Sequence, residues 1–282
     1  MRINTNIASL NAQEAATNTN NNLRNSLEKL SSGLRINKAS DDASGLAIAD
    51  KLRTQASSIK QAISNGNSAV SLIQIADKAM GEQSNILDVV KQKLIQAATA
   101  TTSKEGREAI GKDINKLLTQ LNEVANQTNY NGIALLQGAS AGVASETLTF
   151  QMGEKAGNTA ELNGAVQSNT SGLEMNVLMA SAIGGFTNAS AARGYMVKID
   201  SALNKLNVWR SDFGSTQNQI ESGIRNMMTQ VTNIKAAESV IRDVDYAAES
   251  ANFNKQNIIA QAGTYAQSQA NQVQQNVLKL LQ

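Results

Sequence analysis

The fold is decided by the stretch LRTQASSIKQAISNGNSAVSLI, residues 52–73. Its apolar and small residues recur at alternating steps of four and three, at Leu52, Ala56, Ile59, Ile63, Gly66, Val70 and Ile73. This heptad spacing places one stripe along one side of an α-helix, and such a stripe needs a partner helix to bury it. The stretch therefore predicts a long helix that is paired lengthwise with another.

The same rhythm predicts two long helices of similar length. Leu87 and Leu94 extend the first pattern, so that the first helix occupies residues 45–100; a helix of about 50 residues is about 75 Å long. The second pattern consists of Ile199, Leu203, Leu206, Arg210, Phe213, Gln217, Ile220, Ile224, Met227, Val231 and Ile234. Two rods of matching length predict antiparallel pairing.

Between the rods the sequence predicts a third helix and then an irregular region. The helix runs from Lys104 to Thr128 and ends before Asn131-Gly132, a strong turn signal. Residues 138 to 190 are rich in Gly, Ser, Thr and Asn, and residues 147–152 read as a short strand. This middle part is expected to be β-structured.

Both ends of the chain carry apolar residues that we expect to form a helix interface. A single helix of this size is marginal in water without tertiary packing. We therefore predict that both termini are poorly ordered in the isolated subunit and fold on docking. The interface residues are Ile3, Ile7, Leu10, Leu23, Leu27, Leu30, Leu34, Ile258, Ile259, Val273, Val277, Leu278, Leu280 and Leu281.

Composition argues against an enzyme. The 282 residues include no histidine, cysteine or proline. Histidine is the commonest general acid–base group and metal ligand, and cysteine supplies thiolates and zinc sites. No catalytic residue, metal or cofactor is therefore predicted. The absence of proline permits uninterrupted helices.

Charge and hydropathy exclude two further classes of partner. The net charge of +2 comes from 25 basic and 23 acidic residues that are interspersed, which gives no footprint for nucleic acid. No apolar run approaches the roughly 20 residues that span a bilayer, and the start lacks the apolar core of a signal peptide. We expect no membrane insertion, and passage across a membrane would need a dedicated machine.

The paired acids have structural interpretations. Asp41-Asp42, with Ser40, is predicted to cap the long helix that follows. Asp243 and Asp245 are predicted to form a polar joint between two helical segments. A helix break is expected at Gly33. A single glycine matches neither the P-loop motif nor the dinucleotide-binding motif.

Several strings resemble those of bacterial flagellins. Residues 30–37 and 41–49 follow the family's L-S-S-G-x-R-I-N and D-D-A-A-G-L-A-I-A strings, with Ser44 where alanine is usual. Further matches are Ile3-Asn4-Thr5-Asn6, Asn122-Glu123-Val124, Thr128-Asn129-Tyr130-Asn131-Gly132, Ile199-Asp200-Ser201-Ala202-Leu203, Gln217-Asn218, Arg242-Asp243-Val244-Asp245 and Asn276-Val277-Leu278-Lys279-Leu280-Leu281. The matches occur in the family's order through both ends of the chain.

The resemblance implies a mainly α fold of long antiparallel coiled-coil helices with a small β-hairpin region in the middle. Residues 1–44 and 241–282 would form a terminal coiled-coil domain lining the filament core. Residues 45–137 and 191–240 would form a helical rod, and residues 138–190 its short β-rich tip. The middle segment is short for a family whose members often insert whole outer domains there.

The resemblance also implies the function and the partners. The chain would be exported unfolded through the flagellar type III apparatus and would polymerise into an extracellular filament for swimming motility. An export chaperone and a filament cap are further implied partners. The alternatives are the hook–filament junction protein and, from a different class, a signalling coiled coil; an enzyme is a third.

One motif departs from the family. Many flagellins carry Gln-Arg-x-Arg-Glu-Leu-x-x-Gln on the first rod helix, a patch that is read by a vertebrate Toll-like receptor and is buried between subunits in the filament. This chain has Asp88, Val89, Val90, Lys91, Gln92, Lys93, Leu94 and Gln96 there. Because a lysine point charge does not replace the bidentate fork of arginine, weak receptor signalling is predicted.

Hydroxyl groups of the middle region are candidate sites for O-linked sugars, as occurs on many filaments of the family. The candidates are Ser168, Thr170, Ser171, Ser181 and Ser190. The alternative is an ordinary polar loop.

Overall fold

The computed structural model describes residues 5–137, 147–162, 166–183, 186 and 189–280. This part of the chain is mainly α-helical with two short antiparallel hairpins, as predicted. The elements are α1 (Ile7–Ser32), α2 (Ala43–Ala97), α3 (Lys104–Gln127), β1 (Asn129–Tyr130), β2 (Ile133–Ala134), β3 (Leu148–Gln151), β4 (Thr159–Leu162), α4 (Asn176–Ile183), α5 (Ala189–Arg242) and α6 (Tyr246–Leu280).

The two predicted rods are present as α2 and α5, of 55 and 54 residues. The third predicted helix is α3, and the predicted strand is β3. One element is a correction, because residues 138–190 were expected to be irregular and β-structured, yet Asn176–Ile183 form α4. Eight largely apolar residues show no helical period in the sequence, and the helix is held by burial of Leu178 and Ala182.

The chain comprises two compact units. One consists of Met1–Ala56 with Val231–Gln282, and the other of Ser57–Gln230. We call them the terminal unit and the rod unit. Both α2 and α5 contribute residues to each unit.

In the rod unit, α2 and α5 run antiparallel. Asp77 of α2 pairs with Arg210 of α5 at 2.9 Å, and Lys91 pairs with Asp200 at 2.5 Å, so a later position on one helix meets an earlier position on the other. The core between these helices, α3 and α4 is aliphatic. Its fully buried members include Ile73, Leu87, Val90, Leu94, Ile114, Leu118, Leu121, Leu178, Ile199 and Leu206.

A buried amide connects three segments of the rod unit. Gln83 Nε2 donates to the Leu121 carbonyl at 3.2 Å and to the Ser168 carbonyl at 3.1 Å. The backbone N–H of Thr170 donates to Asn122 Oδ1 at 2.8 Å. Because a buried amide group without partners is costly, these bonds fix the position of the segment around Ser168 against α2 and α3.

Gly66 occupies a heptad position of α2 because α5 approaches closely there. A Cβ at this residue would lie 3.0 Å from Ile224 Cδ1 and 3.1 Å from Met152 Cε. Gly66→Val should therefore overpack the core and lower the free energy of unfolding by about 1–3 kcal/mol.

Urea unfolding of the two variants provides the comparison. Gly214→Ala is the control, since a Cβ at Gly214 meets nothing within 4 Å, and alanine should stabilise the helix by about 0.5–1 kcal/mol. If the two substitutions shifted stability in the same direction, the close approach of α5 to Gly66 would be wrong.

An exposed ion pair links the segment before α4 to α5. Lys205 Nζ lies 2.7 Å from Glu174 Oε1 and, through this hydrogen bond, holds the pKa of Glu174 below its ordinary value of 4.5. The stabilisation is therefore present above pH 4.5 and is lost as pH falls through the lower folded-state pKa.

Removing the lysine should move this titration. In Lys205→Gln the pKa of Glu174 should rise towards 4.5, whereas Lys198→Gln should raise it less, because Lys198 acts only through a weaker coulombic contribution. NMR titration of the Glu174 carboxyl carbon measures both. Equal shifts in the two variants would contradict the assignment.

Candidate assembly surface

The terminal unit is built on an antiparallel pair of helices, α1 and α6. Asn6 Nδ2, at the start of α1, donates to the Ala270 carbonyl at 3.1 Å. Near the other end of α1, Asn252 Nδ2 donates to Ser26 Oγ at 3.4 Å. The predicted pairing of the two chain ends is therefore present within one subunit.

The seam between α1 and α6 consists mainly of small and polar residues. On both helices the least exposed positions repeat at steps of three and four, which is the heptad spacing of a coiled coil. On α1 they are Ser9, Ala12, Ala16, Thr19, Leu23, Ser26 and Leu30; on α6 they are Glu249, Phe253, Gln256, Ala260, Gly263, Gln267 and Ala270.

Most large apolar residues predicted for the interface lie outside this seam. Ile7, Leu10, Leu27, Ile258, Ile259 and Val273 are exposed on the subunit, by 41% in Ile259 and by 67% in Ile258. Leu23, Leu30 and Leu34 are half-buried. Ile3 and Leu281 lie outside the described residues. For Val277, Leu278 and Leu280 the structure describes the backbone but not the side chains.

The predicted interface included Leu23 and Leu30 of the seam but not its small and polar members, because the prediction rested on large aliphatic side chains. The signal was present as a heptad of alanine, serine, threonine, glycine and glutamine, which a search for leucine and isoleucine passes over. Each helix therefore has a seam of mainly small and polar residues, and its large exposed apolar residues lie outside that seam.

The helix break in the terminal unit is a backbone joint. α1 ends at Gly33, which has a φ of +71° and donates its N–H to the Lys29 carbonyl. Arg35 N donates to the Arg242 carbonyl at 2.6 Å, and Val244 N donates to the Gly33 carbonyl at 3.0 Å. The predicted break at Gly33 is confirmed, and these two bonds form an isolated antiparallel bridge between the ends of α1 and α5.

Of the two acids of the joint, Asp245 caps α6, and Asp243 binds a side chain of α5. Asp245 Oδ1 accepts from the N–H groups of Ala247 and Ala248 at the start of α6. Asp243 Oδ2 accepts from Ser239 Oγ at 2.5 Å. The predicted polar joint is therefore present, and both acids satisfy groups of neighbouring helices.

The loop before α2 depends on Asp41 and Asp42. Asp42 Oδ1 accepts from Gly45 N at 2.9 Å and caps α2, as predicted, whereas Asp41, predicted to cap the same helix, binds the preceding loop instead. Asp41 Oδ2 accepts from Lys38 N and Asn37 N, and these bonds hold the pKa of Asp41 below its ordinary 3.8. This stabilisation of the loop is present above pH 3.8 and is lost as pH falls through the lower folded-state pKa.

Comparison with known proteins identifies the family. The profile of the bacterial flagellin N-terminal helical region matches residues 3–141, and that of the bacterial flagellin C-terminal helical region matches residues 196–281. The chain belongs to the bacterial flagellin family.

Individual flagellins match along the whole chain. The flagellar filament 33 kDa core protein of Treponema phagedenis and the flagellin of Bacillus subtilis are each 34% identical over 100% of this chain and 100% of their own length. Among solved structures, the crystal structure of Bacillus cereus flagellin is similar to this chain, with 27% identity and a TM-score of 0.50. The match covers 62% of this chain and 94% of the Bacillus cereus chain.

Flagellins are structural filament proteins, so this chain is a structural protein and not an enzyme, as predicted. In the described residues no group of three acidic, histidine or cysteine side chains is arranged to hold a metal ion. Among the same residues no helix is long and apolar enough to span a membrane.

Only some residues of the altered receptor-recognition patch are exposed. Val90 and Leu94 are fully buried in the rod core, so their inclusion in the patch is corrected. Asp88, Val89, Gln92 and Gln96 are exposed. Lys91 and Lys93 are half-buried and pair within the subunit, with Asp200 at 2.5 Å and Asp113 at 3.1 Å. Both lysines of this flagellin thus have acidic partners on α5 and α3.

The candidate hydroxyl groups for O-linked sugars divide by burial. Ser168 is fully buried and Thr170 is 4% exposed, and both lie in the segment held by Gln83 and Asn122. A sugar does not fit at either position without opening the rod core, so both are withdrawn as candidates. Ser171 and Ser190 are exposed and Ser181 is half-buried.

Proposed function

We propose that this flagellin is the structural subunit of a bacterial flagellar filament for swimming motility, and that it polymerises through the exposed apolar residues of α1 and α6. The proposal rests on how small, polar and large apolar residues are distributed on these two helices. Their mutual seam uses small and polar residues, while Ile7, Leu10, Ile258 and Val273 remain exposed.

Exposed isoleucines and leucines on paired helices favour association. Burying the apolar area of these side chains against a neighbour is favourable by about 25 cal/mol per Å². A contact between different patches of identical subunits repeats from copy to copy and builds an open helical polymer. The expected partner is therefore another copy of the chain.

The domain organisation proposed for the filament follows the sequence pattern. Residues 1–44 and 241–282 are assigned to the inner coiled coil that lines the filament core. Residues 45–137 and 191–240 are assigned to the rod, and residues 138–190 to its short tip. The joint at Gly33 and Val244 supports a boundary near this position in both terminal segments.

Export and location are part of the same proposal. We infer that the chain leaves the cell unfolded through the flagellar type III apparatus, with an export chaperone, and assembles outside the cell beneath a filament cap. The exposed apolar residues of α1 and α6 support export in an unfolded state. Helices that are completed by burial against neighbouring copies remain free to unfold before assembly.

Electron microscopy of purified subunits at raised salt tests the filament function. Long tubes of uniform width are expected, with short seeds accelerating their growth. A junction protein would give short or no polymers, and a signalling coiled coil would give bundles or small oligomers. Either result with intact protein would overturn the proposal.

Weak receptor signalling remains a prediction for this flagellin. The exposed patch lacks arginine, and Lys91 and Lys93 are held by acids of their own subunit. The loss of one interface hot spot costs about 2 kcal/mol or more, so signalling by the monomer should be at least about tenfold below that of a flagellin with the arginine motif. A cell-based reporter assay measures this, and full potency of the monomer would refute it.

O-linked sugars, where present, are proposed at Ser171, Ser181 or Ser190. Mass spectrometry of peptides from native filaments tests the assignment, with Ser168 and Thr170 as internal negative controls because they are buried. Sugar on either control residue would contradict it.

A further inference from the structure

Two Asn-Gly pairs of this chain lie in contrasting environments. Asn131-Gly132 forms the turn between β1 and β2, whereas Asn65-Gly66 lies within α2. A third pair, Asn163-Gly164, is outside the described residues. Asn-Gly is chemically special, because glycine has no side chain to shield its amide nitrogen from the preceding asparagine side chain.

The Asn131-Gly132 turn is exposed and weakly held. Asn131 has a φ of +51° and Gly132 a φ of +83°, as the two central residues of a two-residue hairpin turn. A Cβ at Gly132 would meet nothing within 4 Å, and no hydrogen bond of the Asn131 side chain occurs in the described part of the chain. The flanking strands pair Asn129 with Ala134 and Tyr130 with Ile133, and Leu135 N donates to the Thr128 carbonyl at 3.2 Å behind them.

We propose that Asn131 is a site of spontaneous deamidation, which converts it to aspartate and isoaspartate. The Gly132 backbone nitrogen attacks Asn131 Cγ, so that a bond between these atoms forms and the bond from Cγ to Nδ2 breaks. The Gly132 amide proton leaves with Nδ2 as ammonia, which leaves a succinimide ring. Water then opens either of the two carbonyl–nitrogen bonds of the ring.

The folded hairpin slows deamidation of Asn131 only slightly. Ring closure requires rotation of Asn131 away from the turn conformation and therefore opening of the hairpin. A two-stranded hairpin is marginally stable on its own, so opening it costs far less than opening a core helix. The modification needs no enzyme and no co-reactant other than water.

Asn65-Gly66 has the same chemistry, but its position within α2 protects Asn65 from deamidation. The Gly66 nitrogen is an amide of the α2 interior, where each N–H donates to the carbonyl four residues earlier. Asn65 Nδ2 donates to the Gln151 carbonyl at 3.4 Å, and Gly66 is buried against Ile224. Succinimide formation there requires α2 to unfold locally.

The product alters the hairpin in two ways. Either acid adds a negative charge to the turn, and isoaspartate also inserts one methylene into the main chain. The register of the two strands is set by a two-residue loop, so the longer backbone should break their pairing. Leu135 and Leu136 are buried directly after β2 and should retain the following segment in the core.

Peptide mapping by mass spectrometry of aged full-length subunit tests the proposal. The native subunit and the same subunit in urea are incubated at mildly alkaline pH, and conversion at Asn131 and Asn65 is followed over time. Isoaspartate is identified with a protein isoaspartyl methyltransferase, and Asn131→Asp provides the reference for the aspartate product.

In native subunit, Asn131 should convert at least about tenfold faster than Asn65, since each 1.4 kcal/mol of extra opening cost slows conversion tenfold. In urea the two rates should become similar, because both are Asn-Gly pairs in an unfolded chain. Equal slow rates in native subunit would overturn the proposal, and so would a faster Asn65. Either result would leave the filament function unaffected.

Discussion

Leu94→Ala is expected to lower the free energy of unfolding of the rod unit by about 2–5 kcal/mol. Leu94 lies on α2 and is fully buried in the aliphatic core that α2, α3, α4 and α5 share. Removing its methyl groups loses their transfer free energy and leaves a cavity that rigid helices fill only partly. A domain is stable by about 5–15 kcal/mol, so this one change removes a large share.

Urea unfolding of the monomer, followed by circular dichroism, measures the effect. The matched control is Ile95→Ala at the next position of the same helix, where the side chain is 51% exposed. Its stability should change by about 0.5 kcal/mol or less. The midpoint should fall for Leu94→Ala at an unchanged slope. A similar midpoint for both variants would contradict the inward orientation of Leu94.

Ile258→Asp is expected to abolish or strongly weaken filament assembly while the monomer stays as stable as before. The side chain is 67% exposed on α6 and lies outside the seam with α1. If this face is buried between subunits, the substitution loses about 1.5–3 kcal/mol of apolar burial and also places a charge in the interface. The critical concentration should therefore rise by at least about tenfold.

Sedimentation of seeded assembly reactions measures the critical concentration, and urea unfolding checks the monomer. Asn257→Asp is the matched control, since it introduces the same charge at a polar, exposed position that lies about 100° away from Ile258 around α6. Its critical concentration should change far less. Normal assembly of Ile258→Asp would show that this face of α6 is not an interface.

The long helices and their pairing were predictable because heptad spacing is a physical requirement of lengthwise packing. The stripe around Ile59 and Ile63 defined α2, and the matching stripe after Ile199 defined α5. The cap by Asp42 and the break at Gly33 followed from local chemistry of the backbone. These features depend on nearby residues, which a sequence displays directly.

Other features depended on tertiary context. The pattern around Leu27 predicted a leucine seam in α1, yet the observed seam keeps Leu23 and Leu30 and runs through Ser26 in place of Leu27, because α6 lies against that side of the helix. Burial of Ser168 was hidden because its segment is held by Gln83, 85 positions earlier in the chain. Such long-range contacts leave no local pattern.

The central claim is that the terminal segments complete their structure by lying against each other and against neighbouring copies. Seeded assembly of the intact chain and of a chain lacking residues 1–44 and 241–282 tests it most directly, with circular dichroism to confirm that the helices of the rod unit persist. The intact chain should elongate the seeds, and the trimmed chain should stay monomeric. Elongation of the trimmed chain at the rate of the intact one would contradict it.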